Sequence, residues 1–127
     1  MSEVLKGLNP LRHFKYEEFT CKCGCEVNGI SKALVFMLDN ARELAKIPFK
    51  INSGFRCVKH NKEVGGVKDS SHVKGLAVDI ACDDEKQRFI MVSALLKIGF
   101  KRVLIYDTFI HVDIDLEKFN PILQIKK

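Results

Sequence analysis

Apolar residues recur at two different periods along this chain. In "SKALVFMLDNARELAK", Leu34, Leu38, Ala41 and Ala45 return at helical spacing, Ser31 is placed to cap the start, and Pro48 closes the region. A second helix is predicted over "DDEKQRFIMVSALLKIGF", with Asp84 as its cap, Gln87 at the third position and Gly99 as its stop. Between and after them the period shortens to two. "FKINS", "LAVDIAC", "KRVLIY" and "FIHVDI" read as short strands, the last two closing a hairpin around Asp107 and Thr108. Residues 9–30 are expected to be irregular and to pack through Phe14, Tyr16 and Phe19, and "GFRCVKHNKEVGGVKDSS" reads as a long polar loop with one helical turn near His60 to Val64. The order of elements predicts an α+β fold, with a small, mainly antiparallel sheet and helices packed on one face. No repeat or linker interrupts the chain, so residues 1–127 are expected to form a single domain.

The strand parity sorts side chains by face. In "FIHVDI", Ile110, Val112 and Ile114 make an aliphatic face for the core, while Phe109, His111 and Asp113 point to the other side. In "LAVDIAC", Asp79 stands between Ala77 and Ala81, opposite Leu76, Val78 and Ile80. His72 lies in the loop just ahead, and Gly75 allows that loop to turn back over the strand. A lone histidine in a polar loop is ordinarily just solvated, and a strand aspartate often pairs with a lysine. In combination, His72, Asp79 and His111 form a set of two imidazoles and one carboxylate. Three protein ligands with one open position is the catalytic form of zinc, which lowers the pKa of its water and polarises a carbonyl.

Totals narrow the class. The hydrophobic share of 46% against 29% charged excludes a disordered chain. No run approaches the ~18 apolar residues of a membrane helix, so membrane insertion is not expected. "MSEVLKGLNPLRHF" lacks the apolar core of a signal peptide, which predicts synthesis in the cytoplasm and release by other means if the protein acts outside. The net charge of +5 and pI of about 9.0 favour polyanionic partners, whether nucleic acid, an anionic cell wall or anionic lipid, without choosing among them. The lysines are scattered, without a basic helix face, which argues against nucleic-acid binding. A monomer is the expected state. The five cysteines include the run "CKCGC", whose spacing is too tight for an ordinary zinc knuckle.

The pieces "SGFR", "HNKEVGG", "SSHVKGLAVDI" and "YDTFIHVDID", in this order over about residues 14–115, resemble the M15 zinc peptidases, specifically the D-alanyl-D-alanine carboxypeptidase and phage endolysin branch. The resemblance implies that branch's D-Ala-D-Ala-peptidase (hedgehog-like) fold. It also implies one zinc ion on His72, Asp79 and His111, and hydrolysis of a peptide bond in the stem peptides of bacterial peptidoglycan. Arg56 matches the family arginine that holds a substrate carboxylate or steadies the reacting carbonyl, a task suited to a planar guanidinium. Ser71, beside the first ligand, is expected to support it. Many members carry an acidic residue three positions ahead of the third ligand, where this chain has Thr108. The general base then falls to Asp107, which keeps the parity of His111 if the strand runs straight, or to Asp113, which could equally orient a ligand histidine. The cysteines leave three alternatives open: disulfides formed outside the cell, a second structural ion at Cys21, Cys23, Cys25, Cys57 and His60, or inert thiols, with Cys82 assigned to the core. An inactive wall-binding module and a phage structural component of the same fold are the alternatives to an enzyme.

Overall fold

The computed structural model describes residues 11–126, so the expectation about an export signal in the first ten residues lies outside it. Helix α1 spans Lys32–Ala45, with the Ser31 hydroxyl accepting the Leu34 amide at 3.3 Å. Helix α3 spans Glu85–Ile98, where the Asp84 carboxylate accepts the Gln87 amide at 3.0 Å. Gly99 ends it at φ +116°, a left-handed conformation that favours glycine. The helical turn expected near His60 is a six-residue helix, α2, over Val58–Glu63.

The five strands are β1 (Ile51–Ser53), β2 (Ala77–Ala81), β3 (Arg102–Ile105), β4 (Phe109–Asp113) and β5 (Ile122–Ile125). They lie in the order β1-β2-β4-β3-β5. Every pairing is antiparallel except β3 with β5. The mixed α+β architecture agrees with the expected class. Strand β5 adds a parallel edge that periodicity does not announce, because Leu123 and Ile125 stay exposed and no buried face marks them.

Strand alternation divides the sheet as its side chains require. Val78, Ile80, Val103, Ile110 and Val112 turn to one face and are fully buried against Leu34, Leu38, Met91 and Leu95 of α1 and α3. At roughly 1.5–3 kcal/mol for each large aliphatic side chain removed from water, this layer is the main source of stability. Phe14 and Phe19 extend it into the N-terminal segment, their rings 5.3 Å apart. The buried Asp39 carboxylate ties that segment to α1 by accepting the amides of Arg12 and His13.

The loop from Ser70 to Leu76 crosses over the opposite face of the sheet. Gly75 makes this possible: its φ is +74°, and a Cβ there would stand 1.9 Å from the Gly29 carbonyl oxygen. The Gly75 carbonyl accepts the Ser31 amide at 2.8 Å, so the turn that carries His72 is bonded to the start of α1. Gly75→Ala should therefore cost well over the ~1–2 kcal/mol of left-handed strain alone, seen as a lower urea midpoint; an unchanged midpoint would contradict the tight approach to Gly29.

Candidate metal centre

Antiparallel pairing of β2 with β4 sets Asp79 directly opposite His111, a cross-strand position where side chains on one face meet. The neighbouring pairs on that face are Ala77 with Asp113 and Ala81 with Phe109, so the small alanines leave room around the Asp79 carboxylate. His72 arrives from the Gly75 loop. Its Nε2 stands 3.3 Å from Asp79 Oδ1, and His111 Nδ1 stands 3.0 Å from the same oxygen. The donor atoms of the three residues all lie within 4.8 Å of one another.

The outer nitrogen of each imidazole is taken. His72 Nδ1 donates to the Gly54 carbonyl at 2.8 Å, and His111 Nε2 donates to Asp113 Oδ2 at 2.7 Å. Each ring is thereby fixed with its other nitrogen toward Asp79, the arrangement expected of metal-ligating histidines. Asp113 is itself fully buried and pairs with Arg102 Nε at 3.0 Å, while accepting the Asp115 amide. Burial alone would raise the Asp113 pKa, but the bonds from His111, the Asp115 amide and Arg102 hold it below the usual carboxylate range. The same balance acts on Asp79: burial opposes ionisation, and the two imidazoles overcome it and lower its pKa. His111 moves the opposite way, burial being outweighed by Asp113 and Asp79, which raise its pKa.

A further tier braces the loop. Ser71 Oγ donates to Asp115 Oδ2 at 2.7 Å, and Lys74 Nζ reaches the same oxygen at 3.0 Å. The side chain of Ser71, the residue before His72, has Asp115 as its partner and makes no bond to the His72 ring. Sequence parity does not single out Asp115 or Arg102. The only signal for Asp115 is its place at the end of "HVDID".

The three donors lie on the wall of an open cavity of about 520 Å³ that also contains Arg56, Val67, Tyr106 and Lys118, a size suited to a small ligand. Arg56 donates its backbone amide to the His72 carbonyl at 3.2 Å. Its buried Nε has no hydrogen-bond partner. Burial lowers the Arg56 pKa, and the charges of Asp79 and Cys21 oppose that shift. Asp107 is not among the lining residues. It occupies the two-residue turn between Tyr106 and Phe109, exposed, with its carbonyl accepting from Arg88. The strand that carries His111 begins only at Phe109, so its parity does not reach back through the turn to Asp107. Among the described residues, the carboxylates on the cavity wall are Asp79 and Asp113.

Four thiols converge elsewhere. Cys21, Cys23, Cys25 and Cys57 bring their sulfurs within 4.8 Å of one another. His60 stands outside this group, its Nδ1 3.9 Å from Glu63. Cys82 is buried in the core.

The residues at the His72 site fit a zinc ion. Two imidazoles with fixed outer nitrogens and one ionised carboxylate face a common point on a cavity wall, a donor set of the kind found in catalytic zinc enzymes. A family model described as Peptidase M15 matches residues 12–113. The chain belongs to the peptidase M15 family, whose members are zinc-dependent metallopeptidases. No curated protein matches the chain.

Two outcomes follow from these bonds. Asp113→Asn should weaken zinc binding about 10- to 100-fold in competition with a chelating dye. By loosening the Arg102 pair it should also destabilise the fold by on the order of 3–5 kcal/mol. Unchanged zinc affinity with lost turnover would instead mark Asp113 as the base. Asp115 gives a pH dependence. Its burial would raise the pKa, but Ser71, Lys74 and the Glu117 amide lower it. A depressed folded-state pKa stabilises above the unfolded value of about 3.9 and is lost as pH falls through the folded value. Asp115→Asn should flatten the acid limb of a denaturation series, and an acid limb identical to that of the unaltered protein would show that Asp115 does not contribute.

Proposed function

We propose that this chain is a zinc peptidase that hydrolyses a peptide bond in the stem peptides of bacterial peptidoglycan. One observation carries this reading: His72, Asp79 and His111 converge on the wall of an open cavity with both outer imidazole nitrogens already bonded. When bound there, zinc supplies an acidified water and polarises the scissile carbonyl.

The chain's own groups do the rest. Gly54 and Asp113 keep the two imidazoles aimed, so binding costs little reorganisation. Arg56 offers a guanidinium whose Nε lacks a protein acceptor, suited to the carboxylate or carbonyl of a peptide. Val64 to Val67 and the stacked pair Tyr106 and Phe109, rings 4.3 Å apart, form walls that shape the bound segment. In the hydrolysis, hydroxide oxygen bonds to the carbonyl carbon, the C–N bond breaks, and the water's proton ends on the leaving amine. Asp113 is committed to His111 and Arg102, which assigns it to orienting His111. Asp107, the other base candidate, sits on the turn that joins Tyr106 to Phe109 and would carry the proton by reaching the cavity from its edge.

The placement of Asp107 outside the cavity favours a second reading, in which the same fold and metal grip wall peptides without cutting them. Mass spectrometry of wall digests separates the two. Chelator-sensitive release of new amino groups is the expected result, and intact peptide retained on the protein would establish the binder. Asp107→Asn should abolish release at unchanged zinc content; full activity would remove it as the base. Arg56→Ala should lower kcat/KM about 10- to 100-fold, equivalent to roughly 1.5–3 kcal/mol, and the loss should shrink on a substrate whose terminal carboxylate is amidated. An equal loss on both substrates would rule out carboxylate binding.

A further inference from the structure

We propose that Cys21, Cys23, Cys25 and Cys57 hold a second zinc ion, in a four-sulfur structural site that clamps the exposed 22–29 loop onto the segment carrying Arg56. The Cys21 and Cys23 sulfurs are 3.5 Å apart, and those of Cys23 and Cys57 are 3.6 Å apart. A tetrahedron with zinc–sulfur bonds of about 2.3 Å has edges of about 3.8 Å, so these separations nearly match a common ion. All four cysteines are free thiols.

The close C-x-C-x-C spacing, too tight for an ordinary knuckle, is accommodated by the backbone. Gly24 at φ +90° and Glu26 at φ 62° wind the chain in left-handed steps, and the position a Gly24 side chain would occupy meets nothing within 4 Å. Two amides already point at sulfur: Cys57 N–H donates to Cys21 Sγ at 3.4 Å, and His60 N–H donates to Cys57 Sγ at 3.3 Å. Such bonds stabilise metal-bound thiolates. His60 thus serves the site through its backbone, and the four sulfurs complete a closed structural set without its ring.

The loop gives the site its purpose. Residues 22–29 are all exposed, so no core packing holds them. Yet the loop ends against Gly75, the turn that carries His72, and Arg56 immediately precedes Cys57. A tetrathiolate would cross-link both to the fold. Binding releases the thiol protons to solvent as four zinc–sulfur bonds form, with no change of oxidation state. None of the four cysteines lines the cavity at the His72 site, so this ion would serve structure and not the hydrolysis.

Elemental analysis of the full chain, purified from zinc-supplemented cells, tests it. The expected result is two zinc equivalents, falling to one in His111→Ala and to one in the Cys23→Ser/Cys25→Ser double variant. Cobalt loaded into His111→Ala should give thiolate-to-cobalt charge-transfer absorption, absent from the double variant. A thiol reagent should modify the unaltered protein slowly, and four thiols more quickly once a chelator is added. One zinc equivalent that disappears in His111→Ala, thiols equally reactive with and without chelator, or an intact mass two hydrogens lighter per disulfide would overturn the proposal. The measurements on the unaltered chain decide the matter even if a variant misfolds.

Discussion

The pairing of Asp79 with His111 across β2 and β4 is the constraint from which the rest of the site follows. A slip of β2 by one residue against β4 would turn Asp79 into the aliphatic layer and bring Val78 to the cavity opposite His111. The register is held because the opposite face is fully buried: Val78, Ile80, Ile110 and Val112 cannot leave the core without exposing it. Core packing on one side of the sheet therefore fixes the chemistry on the other.

Two buried carboxylates brace that pair, and each is answered. Asp113 faces His111 and Arg102, and Asp115 faces Ser71 and Lys74. A buried ion pair adds little net stability, but removing one partner is costly. Its value here is orientation: the carboxylate behind His111 sets which imidazole nitrogen turns to Asp79, as the Gly54 carbonyl does for His72. The left-handed turn at Gly75 brings His72 over the sheet, and the contact with Gly29 ties that turn to the loop where the cysteines gather.

Much of this arrangement was legible from sequence because it rests on local rules. Period-two alternation placed Asp79 and His111 on one face, the Ser31 and Asp84 caps marked the two long helices, and Gly75 announced its turn. Other features depend on distances that periodicity does not encode. Strand β5 pairs through its backbone while its side chains stay exposed, so no hydrophobic pattern betrays it. Asp107 keeps even spacing from His111, but the two-residue turn breaks the alternation that such counting assumes. Arg102 and Asp115 become partners of the site only once β3 lies beside β4 and the loop after β4 folds back on Ser71. The meeting of Cys57 with the cysteines of residues 21–25 is one of three alternatives open from sequence; it spans more than thirty positions, and no spacing rule selects it or leaves His60 out.

Anomalous scattering at the zinc absorption edge, from crystals of the zinc-loaded protein, addresses the central claim most directly. A peak ligated by His72 Nε2, the Asp79 carboxylate and His111 Nδ1, with Asp113 still bonded to His111 Nε2, is the predicted result. An ion bound through Asp113 and His111 Nε2, or no density between the three side chains, would contradict it.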